Sequence, residues 1–77
     1  MISEYLEVRR TTSYDGKTGR YDVMAKRYPG MCLGEIRWFG RWRQYTFFPY
    51  PDSVFNNECL RDIAEFLDEL MAARRKA

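Results

Sequence analysis

The last third of the chain constrains the fold most. Leu60, Ile63, Ala64, Leu67, Leu70 and Met71 recur at helical spacing and form one apolar stripe. Asn56 is a suitable N-cap, and Phe55 before it is placed to staple onto Leu60. Glu58 at the start and Arg74, Arg75 and Lys76 at the end suit the helix dipole. A helix over 56–76 with such a stripe must bury it. At 77 residues there is room for one core and no second domain, so the partner has to be the rest of the same chain.

That remainder reads as two β-hairpins. Residues 4–14 and 17–27 flank Asp15-Gly16, a pair suited to a two-residue type I′ turn, with a longer loop reaching Gly19 as the competing geometry. The tight turn sets Val8 opposite Val23 and Leu6 opposite Ala25. It also sets Arg9 opposite Asp22 and Glu4 opposite Arg27, so apolar and charged pairs segregate to different faces. Tyr28-Pro29-Gly30 breaks the strand. Residues 32–39 and 42–48 form the second hairpin, with Gly40 read as the first position of a type II′ turn. This register pairs Phe39 with Trp42, Arg37 with Gln44, Ile36 with Tyr45 and Trp38 with Arg43. Ile36, Trp38, Tyr45 and Phe47 share one face, which is the natural seat for the helix. Pro49 and Pro51 end the sheet. The expected fold is therefore α+β: an antiparallel sheet of two hairpins, three to four strands, with one C-terminal helix packed on one face. The single domain 1–77 divides into an N-terminal hairpin (1–30), a Trp/Arg-rich hairpin (31–50) and the helix (56–76).

Much familiar chemistry is missing. The chain has no histidine, hence neither the commonest general base nor the commonest metal ligand. No serine or cysteine has an evident activating partner, and no phosphate-binding glycine motif occurs. Asp62, Glu65, Asp68 and Glu69 lie on the polar side of the helix, as a solvated face does. Cys32 and Cys59 are far apart in sequence and read as reduced structural thiols. The expectation is a protein that is not an enzyme and needs no cofactor or metal. Without an apolar run of membrane length or a signal peptide, it is expected in the cytoplasm and off the membrane. A core this small rarely supplies more than ~3–5 kcal/mol, so dimerisation is one expected source of further burial.

Binding remains. The formal net charge of +2 is modest, but it is uneven. Residues 1–50 carry nine Lys/Arg against five Asp/Glu, and residues 51–77 carry four against six. Between Glu35 and Tyr45 arginines alternate with rings. Arginine offers phosphates a planar fork, and aromatic rings stack on unpaired bases. Arg37, Phe39, Arg41, Trp42 and Gln44 lie away from the core-facing side and are the candidate macromolecule-binding residues. Arg10, Lys17 and Arg20 are secondary basic contacts. The same residue types are enriched in protein hot spots, so the partner is nucleic acid, a nucleoprotein complex, or a host or phage protein. Trp38, Tyr45, Phe47 and Phe48 read as core.

Two resemblances follow from these residues. The chain from Gly34 onward resembles short phage- and prophage-encoded proteins with the pattern G-x-I-x-W-x-x-x-W-R-x-Y-x-F-x-P, a Phe, then C-L-x-x-I-A-x-F. Here these are Gly34, Ile36, Trp38, Trp42, Arg43, Tyr45, Phe47, Pro49, Phe55, Cys59, Leu60, Ile63, Ala64 and Phe66. This resemblance implies a phage setting, assigns no activity and leaves the N-terminal hairpin outside it. In element order alone, the chain is also similar to the sheet-plus-helix DNA-binding domains of phage integrases, which insert a sheet face into the major groove. This chain has fewer lysines than those domains, and it needs its most apolar sheet face for the helix.

Overall fold

The computed structural model describes residues 5–11, 19–28 and 30–76. Four antiparallel strands, β1 (Leu6–Arg10), β2 (Tyr21–Ala25), β3 (Cys32–Phe39) and β4 (Gln44–Pro49), lie in sequence order in one open sheet. One helix follows, α1 (Asn57–Lys76). The fold is the expected α+β meander with a C-terminal helix.

The first hairpin has the expected register: Leu6 pairs with Ala25, Val8 with Val23 and Arg9 with Asp22. Bonds from Thr11 N–H to Arg20 O (2.8 Å) and from Lys26 N–H to Tyr5 O (3.0 Å) extend the ladder at both ends. The Asp15-Gly16 turn, the Glu4–Arg27 pair, Lys17 and Pro29 lie outside the described residues. Arg9 turns its guanidinium to Glu7 on its own strand, at 3.3 Å, rather than across to Asp22.

The second hairpin departs from the two-residue turn. Phe39 pairs with Gln44, Trp38 with Tyr45, Arg37 with Thr46 and Ile36 with Phe47. The loop therefore spans Gly40 to Arg43, and Gly40 is not in the left-handed region; Arg43 is, at φ 54°. Bonds from Trp42 N–H to Phe39 O and from Arg43 N–H to Gly40 O, both 3.2 Å, close it. The physical reason is the core. A two-residue turn would set Arg43 opposite Trp38 on the apolar side, whereas the longer loop puts Tyr45 there, edge-on to Trp38 at 5.5 Å. The shift is by two residues, so each side chain keeps its face. Ile36, Trp38, Tyr45 and Phe47 still line the helix side.

The helix begins as expected, with Asn56 Oδ1 accepting from Cys59 N–H at 2.8 Å. Its buried stripe, however, is rotated by about one position. Cys59, Ile63 and Phe66 are buried with Leu6, Val23 and Ile36, and Leu67 and Leu70 flank them. Leu60 is 51% exposed, and Ala64 is exposed. Phe55 does not staple onto Leu60; it packs edge-on against Phe47 at 5.2 Å. The sheet explains the rotation. Turning the helix this way lets the Phe66 ring meet Tyr21 edge-on at 5.3 Å, and the small Cys59 side chain fits under the first turn. At the other end the Arg74 guanidinium covers the Trp38 ring at 4.1 Å.

Two substitutions test this packing. Ile63→Ala should cost about 2–5 kcal/mol, while Leu60→Ala should change stability by less than ~1 kcal/mol, because half of its surface is already wet. Comparable shifts in two thermal melts would contradict the rotated stripe. Gly34→Ala should also destabilise, since an added Cβ would stand 2.6 Å from the Phe47 ring and 2.8 Å from the Phe48 carbonyl oxygen.

Candidate functional site

Strand alternation sends Glu7, Arg9, Asp22, Glu35, Arg37, Phe39, Gln44, Thr46 and Phe48 to the face opposite the helix. This face is charged yet balanced. Asp22 sits directly opposite Glu35 in the β2–β3 register, a like-charge pair. Arginines offset it: Glu35 Oε1 accepts from Arg20 Nη2 at 2.9 Å and forms an ion pair with Arg37 Nε at 3.0 Å. Arg37 also lies over the Phe48 ring, 3.8 Å from its centroid. With Arg9, these three cations match Glu7, Asp22 and Glu35. The broad face thus offers little net charge to a polyanion.

The tip, by contrast, carries charge that no carboxylate among the described residues balances. Arg41, Trp42 and Arg43 follow one another in the Gly40–Arg43 loop, all exposed. Neither arginine forms a salt bridge among the described residues. Trp42 is 61% exposed. Its indole meets the Phe39 ring edge-on at 4.9 Å, and Phe39 in turn meets Phe48 at 5.9 Å. The exposed indole is thus held in place by a row of rings running back into the sheet.

Of the expected site residues, the structure brings Arg37, Phe39, Arg41, Trp42 and Gln44 to one end of the hairpin, on or beside the face away from the helix. Arg20 joins that face through Glu35. Arg10 does not: it pairs with Tyr21 on the helix side, with its guanidinium 5.9 Å from that ring. Lys17 lies outside the described residues. Arg43, which a two-residue turn would set in β4 against Trp38, stands instead beside the candidate residues at the tip. The available signal was chemical, since that register sets an arginine against a core tryptophan.

A second feature left no mark on the sequence. At the Cys32 end of β3, far from the tip, a cavity of about 520 Å³ opens between Tyr5, Tyr28, Met31 and the Tyr50–Val54 turn. Both cysteines line it, and both are free thiols. The turn is tied to β3 by Ser53 Oγ–H donating to Leu33 O at 2.9 Å and by Tyr50 N–H donating to the same oxygen at 3.0 Å. Burial, then the nearby Cys32 and Glu35, pushes the Tyr50 phenol above its usual range. The lining residues come from five separate stretches, so no spacing announces them. Among the described residues no group of three or more His, Cys, Asp or Glu side chains could hold a metal ion. None of their helices is long and apolar enough to cross a membrane.

Compared with known proteins, the chain is similar to the "Uncharacterized 9.3 kDa protein" of Acholeplasma phage L2. The two are 32% identical over 75 residues, 96% of this chain and 94% of that one. The chain belongs to the family of that short phage protein. The similarity runs through the N-terminal hairpin as well, beyond the stretch from Gly34 that carries the sequence pattern. No family model matches the chain, and no solved structure matches it. Within this chain most pattern residues divide between core and tip, although Leu60 and Ala64 are exposed on the helix. Gly34, Ile36, Trp38, Tyr45, Phe47, Cys59, Ile63 and Phe66 face or form the core, whereas Trp42 and Arg43 stand at the open tip.

Arg43 gives a direct test of the tip. A non-glycine residue at φ 54° is strained by roughly 1 kcal/mol, and glycine relieves this. Arg43→Gly should therefore raise the melting temperature by a few degrees. A lowered melt would mean that the arginine side chain supports the fold.

Proposed function

We propose that this phage-family protein is a non-catalytic accessory protein that binds nucleic acid through the tip of its second hairpin. The observation that carries the reading is the contiguous Arg41-Trp42-Arg43 knob, with both guanidinium groups free of carboxylates among the described residues and the indole pinned by Phe39. Arginine on either side of an anchored ring suits a polymer of alternating phosphates and bases. The rest of the chain supports a role in binding rather than chemistry. With no histidine and no group of candidate metal ligands among the described residues, nothing at the tip activates water or a nucleophile. Phe39, Arg37 and Gln44 hold the knob or flank it.

Salt dependence measures this reading. Two arginine–phosphate contacts give a slope of log K against log [salt] of about −1.4 on a single strand and −1.8 on a duplex. Arg41→Ala with Arg43→Ala should flatten that slope towards zero and leave the melt near wild type. If a protein from the host or phage binds instead, through Trp42 and with little dependence on salt, the nucleic-acid reading fails. The tip is then a protein hot spot.

A further inference from the structure

The charge balance of the sheet and the posture of Trp42 narrow the ligand further. Resting on the reading just given, we infer that the tip takes single-stranded nucleic acid, one unpaired base stacking on Trp42 while neighbouring phosphates meet Arg41 and Arg43, and that it discriminates against duplex.

Duplex binding draws its strength from many phosphate contacts; proteins that grip a groove typically neutralise about 6–10 phosphates. Here a groove-wide contact has little to use. Arg20 and Arg37 share Glu35 Oε1 at 2.9 and 3.0 Å, Arg9 is held by Glu7, and Asp22 adds a further negative charge on the same face. A duplex laid on that face would meet three carboxylates along with three guanidiniums. Arg10 points to the other face, which the helix covers. Among the described residues, two unpaired cations at a four-residue loop are fewer than duplex binding typically uses.

Stacking supplies the balance for a single strand. A base on an aromatic ring contributes about 1–3 kcal/mol, but only when the base is unpaired and its face is free. The Phe39 contact is edge-on, with an interplanar angle of 87°, so it covers at most one face of the indole. With 61% of Trp42 exposed, the other face is open. The same contact fixes the ring before the base arrives, which lowers the ordering cost of stacking. Trp38, by contrast, lies under Arg74 and against Tyr45 and cannot serve.

The experiment uses the full chain and three labelled probes of equal length, followed by fluorescence anisotropy at low salt: an oligothymidylate strand, a blunt duplex, and an abasic strand that keeps the phosphates. The strand with bases should bind at least fivefold tighter than the other two. Trp42→Ala should remove that preference and leave abasic binding unchanged. Trp42→Phe, which keeps a ring beside Phe39, should retain most of it. Melts of both variants check that the fold is intact. Equal or tighter binding of the duplex overturns the inference while leaving the tip a nucleic-acid site. So does a preference for the base-bearing strand that survives Trp42→Ala. Absence of binding to all three probes overturns the nucleic-acid reading itself.

Discussion

The structure depends on one contact: the Cys59–Ile63–Phe66 stripe of α1 against the single apolar face of the sheet. The chain has one helix to offer, so it can cover one face only. The fully buried side chains Leu6, Val23 and Ile36 are gathered there, with Tyr45 and Phe47 packed against them. The other face must therefore be acceptable to water. It meets that demand with charge in both signs and with Arg37 laid over Phe48, which shields a ring that the helix cannot reach. That face is close to neutral, whereas the hairpin tip sets two arginines free of carboxylates among the described residues beside an exposed indole.

An open sheet also has edges to protect. β4 is one of them, and its outward phase holds Tyr45, Phe47 and Pro49. Tyr45 donates its N–H to Met71 Sδ of the helix at 3.4 Å, and Pro49 has no N–H to offer. The helix that covers the face therefore also blunts the edge, through the flexible Met71 thioether. At the opposite edge β1 is short, five residues ending in two arginines. Short, charged edges resist the pairing of one sheet with another.

Legibility in the sequence followed the strength of each local signal. The helix, its Asn56 cap and the register of the first hairpin were readable because hydrophobic period, cap chemistry and cross-strand pairing each point to one answer. The rotation of the stripe was not. On a helix wheel Leu60 and Cys59 flank Ile63 on opposite sides, and the meeting of Phe66 with Tyr21 favours Cys59. Gly40 was a persuasive but mistaken signal. Glycine permits a tight turn without requiring one, and the pairing of Trp38 with Tyr45 outweighed it. Because the resulting slip was even, the strand residues kept their faces while their cross-strand partners changed, and Arg43 left the strand for the loop. The cavity at the Cys32 end had no sequence signature, since its walls are assembled from distant segments.

The same slip gives the tip its character. A two-residue turn would have left Trp42 paired with Phe39 in the ladder and Arg43 inside the sheet. The four-residue loop lifts Arg41, Trp42 and Arg43 out together while Phe39 stays in β3 as their footing. It also requires one residue with positive φ, and the chain places an arginine where glycine or asparagine would be less strained. No intramolecular salt bridge among the described residues offsets that strain. Asp52 in the Tyr50–Val54 turn has the same left-handed backbone at φ 66°, so what distinguishes the tip is the exposed indole beside Arg43 rather than the strain itself. The core sets the register, the register sets the loop, and the loop presents the three side chains on which binding would act.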